Sequence, residues 1–168
     1  MPSYVTRAAH TGATSFITPH NTAEHHPVAS CFEHTMKSGI KIERSEEVEE
    51  VVSRSRVNAL RASDVEIPPG KSRVIFNIEQ HAELITLIKQ TTSKDFSHAF
   101  GFVQSLGVII LGGCYSYTMV IVESTQDLKY TIDCKDPGEG NLIKGQDGGF
   151  AVQVESGRLV GMVFAWKP

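Results

Sequence analysis

Residues 105–122 read SLGVIILGGCYSYTMVIV, an apolar block broken in its middle by Gly112-Gly113. Val108, Ile109, Ile110 and Leu111 precede the break; Tyr115, Tyr117, Met119, Val120, Ile121 and Val122 follow it. β-Branched and aromatic residues dominate, and a glycine pair permits a bulge or sharp curl. The pattern therefore predicts two strands flanking the glycines, or one long strand bent there. The block approaches membrane-spanning length. Ser105, Gly107, Ser116 and Thr118 interrupt it, however, and Gln104 and Glu123 bound it, so it predicts core strands and no transmembrane segment. Cys114, inside the block, reads as a small buried hydrophobe.

Residues 45–60, SEEVEEVVSRSRVNAL, have the period of a helix. Ser45 is a natural N-cap, and Glu46, Glu47, Glu49 and Glu50 crowd the positive end of the helix dipole. Val48, Val51, Val52 and Leu60 form a narrow apolar stripe, and Glu50 and Arg54 are an i,i+4 pair in the favourable order. The turn Ile67-Pro68-Pro69-Gly70 launches a strand in which Val74, Phe76 and Ile78 alternate with Arg73, Ile75 and Asn77. Residues 80–103 read as helical in two segments, one carrying Leu84, Ile85, Leu87 and Ile88, the other Phe96, Ala99, Phe100 and Val103. Residues 128–133 form a short strand, residues 134–149 a long polar loop, and residues 150–166 a hairpin. A two-residue turn in that hairpin sets Glu155 opposite Arg158.

The predicted fold class is α+β: a β-sandwich or partly open β-barrel with two or three helices and a flexible N-terminal arm. Residues 1–44 form the loop-rich arm. Residues 45–168 form a single β-rich domain with helices at 45–60 and 80–103. The predicted core comprises Val74, Phe76, Ile78, Leu84, Ile88, Phe100, Val108, Ile110, Met119, Ile121, Phe150, Val152, Val163 and Phe164.

With 168 residues, 40% of them apolar, the chain is one domain of ordinary size. A net charge of −3 argues against a protein whose main work is neutralising nucleic-acid backbone. Arg54, Arg56, Arg61, Lys71 and Arg73 nevertheless form a local basic set, the candidate surface for RNA or a protein partner. Cys31, Cys114 and Cys134 are widely spaced and show no C-x-x-C pair. They predict reduced thiols in an intracellular protein, with neither a disulfide framework nor a zinc site. Five of the seven histidines lie in the arm: His10, His20, His25, His26 and His34. Without a second cluster at metal-ligand spacing they read as solvated side chains, and no metal or cofactor is expected. The N-terminus has no apolar stretch of the signal-peptide kind.

The glycine-rich loop lacks both the Walker pattern and the third dinucleotide-binding glycine. Asp133, Asp136, Glu139 and Asp147 would repel phosphate. Residues 144–149, KGQDGG, with Ser156-Gly157-Arg158-Leu159-Val160-Gly161-Met162, resemble the closing segment of chymotrypsin-like viral proteases. In that family the nucleophile sits between Gly-x and Gly-Gly, beside the amides of the oxyanion hole. Here that position holds Asp147, a carboxylate that cannot serve in acyl transfer. Residues 144–162 thus correspond to a degenerate site at Asp147, Gly148 and Gly149, with His34 and Glu83 as nominal partners, and imply a catalytically dead module.

From Lys71 onward the order of strand, helices, strand pair, short strand, loop and hairpin is similar to that of the small matrix proteins of rhabdoviruses. It also resembles the core of the plant-virus movement-protein superfamily, where a helix precedes a Gly-containing apolar strand, here residues 100–112, and a second strand, here residues 117–123. The movement family usually has Asp after its second strand, where this chain has Glu123. The matrix family often has a Pro-rich late-domain arm, and the arm here has no P-P-x-Y. The matrix resemblance implies a non-enzymatic viral structural or accessory protein that self-associates as a homo-oligomer. Its partners would be nucleoprotein or RNA, with peripheral membrane contact, in the host cytoplasm or the virion. The movement resemblance implies a single-stranded RNA-binding protein.

Overall fold

A computed structural model describes residues 39–55, 61–62, 64–145 and 149–167. Nine strands and two helices are present among them, in the order β1 (Ile40–Glu43), α1 (Glu46–Ser55), β2 (Arg73–Phe76), α2 (Ala82–Thr92), β3 (His98–Gln104), β4 (Gly107–Leu111), β5 (Ser116–Ser124), β6 (Lys129–Ile132), β7 (Leu142–Gly145), β8 (Phe150–Ser156) and β9 (Leu159–Trp166). The strands form a six-stranded sheet A, ordered β1-β7-β5-β9-β3-β2, and a three-stranded sheet B, ordered β4-β8-β6. Every described pairing is antiparallel. The fold is α+β and mostly β. It is an open two-sheet arrangement, not a closed barrel.

The layers follow from which faces are apolar. Sheet A lies between the helices and sheet B. On its helix side Val120, Val122, Val160, Met162 and Phe164 pack with Val48, Val51 and Val52 of α1 and Leu84 and Ile88 of α2. On its other side Met119, Ile143, Leu159 and Val163 pack with Ile109, Leu111, Phe150, Val152 and Val154 of sheet B. Strand β9, LVGMVFAW, is therefore buried along almost its whole length, as a strand covered on both faces requires. Strand β8 has one wet face, and its burial alternates accordingly.

From β3 to β9 the chain changes sheet at every connection. Consecutive strands face each other across the core instead of pairing edge to edge. The expected hairpin at 150–166 is corrected on this point: β8 belongs to sheet B and β9 to sheet A. Arg158, expected opposite Glu155, instead donates to the carbonyl oxygens of Ala62 (3.1 Å) and Val65 (2.8 Å). The glycine pair at 112–113 likewise marks a crossing between sheets.

Other boundaries also differ from expectation. Residues 40–43, assigned to the arm, form β1 and pair with β7; residues 1–38 lie outside the described residues. Helix α1 begins as the sequence predicts, with the Val48 amide donating to the Ser45 hydroxyl at 3.3 Å. Its predicted continuation through 56–60, with Leu60, lies outside the described residues. Residues 98–103, expected as helix, form β3. The left-handed backbone of Ser93, φ 53°, ends α2, and the segment beyond it is held extended between β9 and β2. The polar loop at 134–149 contains β7, whose Leu142 and Ile143 are buried on opposite faces of sheet A.

In the predicted core, Ile78, Leu84, Ile88, Met119, Phe150, Val152, Val163 and Phe164 are buried. Val74, Phe76, Phe100 and Ile121 are half-buried. Val108 and Ile110 are exposed, at 44% and 60%, while Ile109 and Leu111 point inward. Cys114, expected as core filler, is exposed. No described helix is long and apolar enough to cross a membrane.

Gly161 of β9 lies opposite Phe102 of β3. A Cβ there would sit 2.6 Å from the fully buried Phe102 ring. Gly161→Ala should lower unfolding stability by about 1–3 kcal/mol through overpacking, measured by urea denaturation.

Candidate functional site: the outer edge of sheet B

Strand β4 differs from its neighbours in sheet B. The face turned away from the core carries Ala151, Gln153 and, at the end, Glu155 on β8, with Thr131 and Lys129 on β6. On β4 the same face carries Val108 and Ile110, and Leu106 just before the strand is exposed at 69%. The outer surface of the sheet thus passes from polar at β6 to wholly apolar at β4. Single exposed apolar residues are ordinary, but a contiguous stripe rimmed by polar residues marks an interaction surface.

Among the described residues, the stripe lies on an open edge. The Asp133 amide donates to the Ala151 carbonyl at 2.9 Å and the Ala151 amide donates to the Asp133 carboxylate at 2.7 Å, which turns the peptide groups of Ala151 towards β6. Ile110 pairs with Ala151, so this is a non-hydrogen-bonded pair of the β4–β8 ladder. By alternation the N–H and C=O groups of Val108 and Ile110 point away from β8, along the side of the sheet where no described strand pairs. The other three sheet edges carry charge: Lys41 and Glu43 on β1, Arg73 on β2, and Lys129 on β6. Charged side chains blunt a sheet edge against pairing. Strand β4, GVIIL, has none.

The stripe was hidden in the sequence by its phase. Four consecutive apolar residues do not show which alternate pair faces inward. The informative signal was an excess: a strand of a sheet with one wet face does not need four.

The residues singled out for chemistry fall elsewhere. Arg54 on α1 holds the carboxylates of Glu50 and Glu83, both at 2.6 Å, and so ties α1 to α2. Arg61 lies in the link after α1, Lys71 before β2, and Arg73 on β2; Arg56 lies outside the described residues. The four described cations therefore occupy three separate stretches of the chain, and only Lys71 and Arg73 are close neighbours in sequence. Of the protease-like set, His34, Asp147 and Gly148 lie outside the described residues. Glu83 is held by Arg54 on the helix side of sheet A, across the sheet from Gly149.

The described ends of the glycine-rich segment have structural roles. The Lys144 ammonium is bound to the Glu43 carboxylate on the neighbouring strand, and Lys41 reaches the same group at 2.6 Å. The Lys144 hydrogen bond first, and that of Lys41 second, hold the Glu43 carboxyl below its ordinary value of 4.5. Gly149, at φ +79°, passes against the end of β4, where a Cβ would overlap the Leu111 carbonyl oxygen. Beside it the Tyr117 hydroxyl donates to the Gly112 carbonyl at 2.6 Å, locking the crossing from β4 to β5. Burial pushes the Tyr117 phenol up from its ordinary value.

Asn141 was not singled out from the sequence, yet it links three elements. Its side-chain carbonyl accepts from the Ser45 amide at 2.8 Å and its side-chain amide donates to the Ser45 carbonyl at 3.1 Å. Its main chain bonds Glu43 and Ile121. A shallow groove of about 710 Å³ lies nearby, bordered by Glu49, Glu123, Tyr130 and Glu139. Glu49 and Glu139 are already bound by Arg44, and Glu123 accepts from the Ala62 amide at 2.9 Å. No group of three or more metal-ligating side chains occurs among the described residues.

Gly149→Ala should destabilise the fold by about 2 kcal/mol or more, since it combines a left-handed backbone with a main-chain overlap. Chemical denaturation checks this, with the β4–β8 amides expected to lose protection first. No family model matches the chain, and no curated protein matches it significantly.

Proposed function

We propose that this chain is a non-enzymatic structural protein that works by self-association, of the kind represented by the small matrix proteins of rhabdoviruses. The observation that carries the reading is the exposed apolar stripe of Leu106, Val108 and Ile110 on the uncharged edge of sheet B. Such an edge is a liability in a protein that stays monomeric and an asset in one that assembles. The matrix-like reading places the protein in the host cytoplasm or the virion, with nucleoprotein or RNA as a further partner and peripheral contact with membrane. The net charge of −3 assigns those contacts to local patches, not to the protein's overall field.

Light scattering on the purified chain over a range of concentrations tests the reading. The mass should rise above the 18.4 kDa of one copy as concentration increases. A mass fixed at one copy throughout would overturn it. If that fixed mass is accompanied by tight, steeply salt-dependent binding to single-stranded RNA, the movement-type reading replaces it.

A further inference from the structure

We infer that two copies of the chain pair edge to edge through β4, antiparallel, about a twofold axis at Val108, joining two copies of sheet B into one six-stranded sheet. The inference rests on the self-association reading and specifies its interface.

The open edge selects the kind of partner. Within a contact that excludes water, the outward N–H and C=O groups of Val108 and Ile110 are best satisfied together by another extended chain. The side chains select a second copy. With the axis at Val108, that residue faces the second copy's Val108, and Leu106 and Ile110 face the second copy's Ile110 and Leu106. Every member of the apolar stripe then meets an apolar residue. The parity is also correct, because Val108 and Ile110 both direct their main-chain groups outward, as a hydrogen-bonded antiparallel pair requires. Moving the axis to Ile109 would leave Leu106 facing Gly112.

Charge permits the same arrangement. A symmetric pairing brings each residue near its own kind, so any charge on the strand would meet a like charge. Residues 105–114 contain none. Glu155, which follows the Val154 partner of Gly107, is the nearest acidic residue of the outer face on β8. The two copies of Glu155 would lie at opposite corners of the joined sheet, roughly 20 Å apart from strand spacing and rise, beyond the screening length.

The pairing is small. A five-residue edge with three apolar side chains covers less than the roughly 800 Å² per partner of a stable interface. The dimer is therefore reversible and concentration-dependent.

Disulfide trapping tests the register. In a full-length background with Cys31→Ser, Cys114→Ser and Cys134→Ser, Val108→Cys should form a covalent dimer under mild oxidation, because directly opposed residues fall within disulfide reach. Gln153→Cys, on the same face one strand away, should not. In the wild-type background Ile110→Lys should shift association to at least about tenfold higher concentration, while Ile75→Lys, at the edge of sheet A, should leave it unchanged. Circular dichroism confirms that each variant is folded. If the wild type associates but Val108→Cys traps no better than Gln153→Cys, or Ile110→Lys associates normally, the β4 pairing is wrong and the self-association reading stands. If the wild type stays at one copy at every concentration, both fall, and the stripe is covered by residues 1–38 or by a different protein.

Discussion

The structure depends on sheet A being covered on both faces. Helices α1 and α2 lie on one side and sheet B on the other, so β5, β7 and β9 must be apolar in both directions. Burial of that kind is the main favourable term in folding, at about 25 cal/mol per Å² of apolar surface. The smaller features serve it. Asn141 fixes the start of α1 against β7, Arg54 ties α1 to α2, and Gly161 lets Phe102 lie flat on β9.

The same constraint explains how far the sequence could be read. Element types were legible where period or composition was strong. The acidic start of α1, the apolar face of α2 and the strand character of β4, β5, β8 and β9 all came from residue pattern. Partnership between strands was not legible, because propensity says that a segment is extended without saying which sheet it joins. Residues 150–166 look like a hairpin for that reason: their turn residues suit a tight reversal, and the chain uses that reversal to cross between sheets. Strand β3 failed differently. Phe96, Ala99, Phe100 and Val103 fit a helical period, but the hydrogen-bonding demand of β9 and β2 overrode local preference.

The candidate site was legible only in part, and its meaning was inverted. The block at 105–122 is visible as the most apolar stretch of the chain, and its pattern places Val108 and Ile110 in the core with it. The structure turns them outward, because Ile109 and Leu111 already fill the space facing Met119 and Ile143. Conversely, the segment that resembles a protease terminus is explained at its described ends by packing. Gly149 has no side chain because the Leu111 carbonyl occupies that space, and Lys144 serves as a cross-strand partner for Glu43. Glycines and charges at a sheet crossing can imitate a catalytic motif because both need a backbone that other residues cannot adopt.

Strand β4 is the place where composition and environment disagree. Its residues suit a strand buried on two faces, and the described chain covers one. Self-association through β4 supplies the missing ladder and sets each exposed apolar side chain beside an apolar neighbour on the joined sheet. Amide hydrogen exchange at Val108 and Ile110, compared between dilute and concentrated solution, tests this most directly. The account predicts that both amides gain protection as concentration rises, while Ile109, bonded within sheet B, is protected throughout. Exchange at Val108 and Ile110 that does not change with concentration would contradict it.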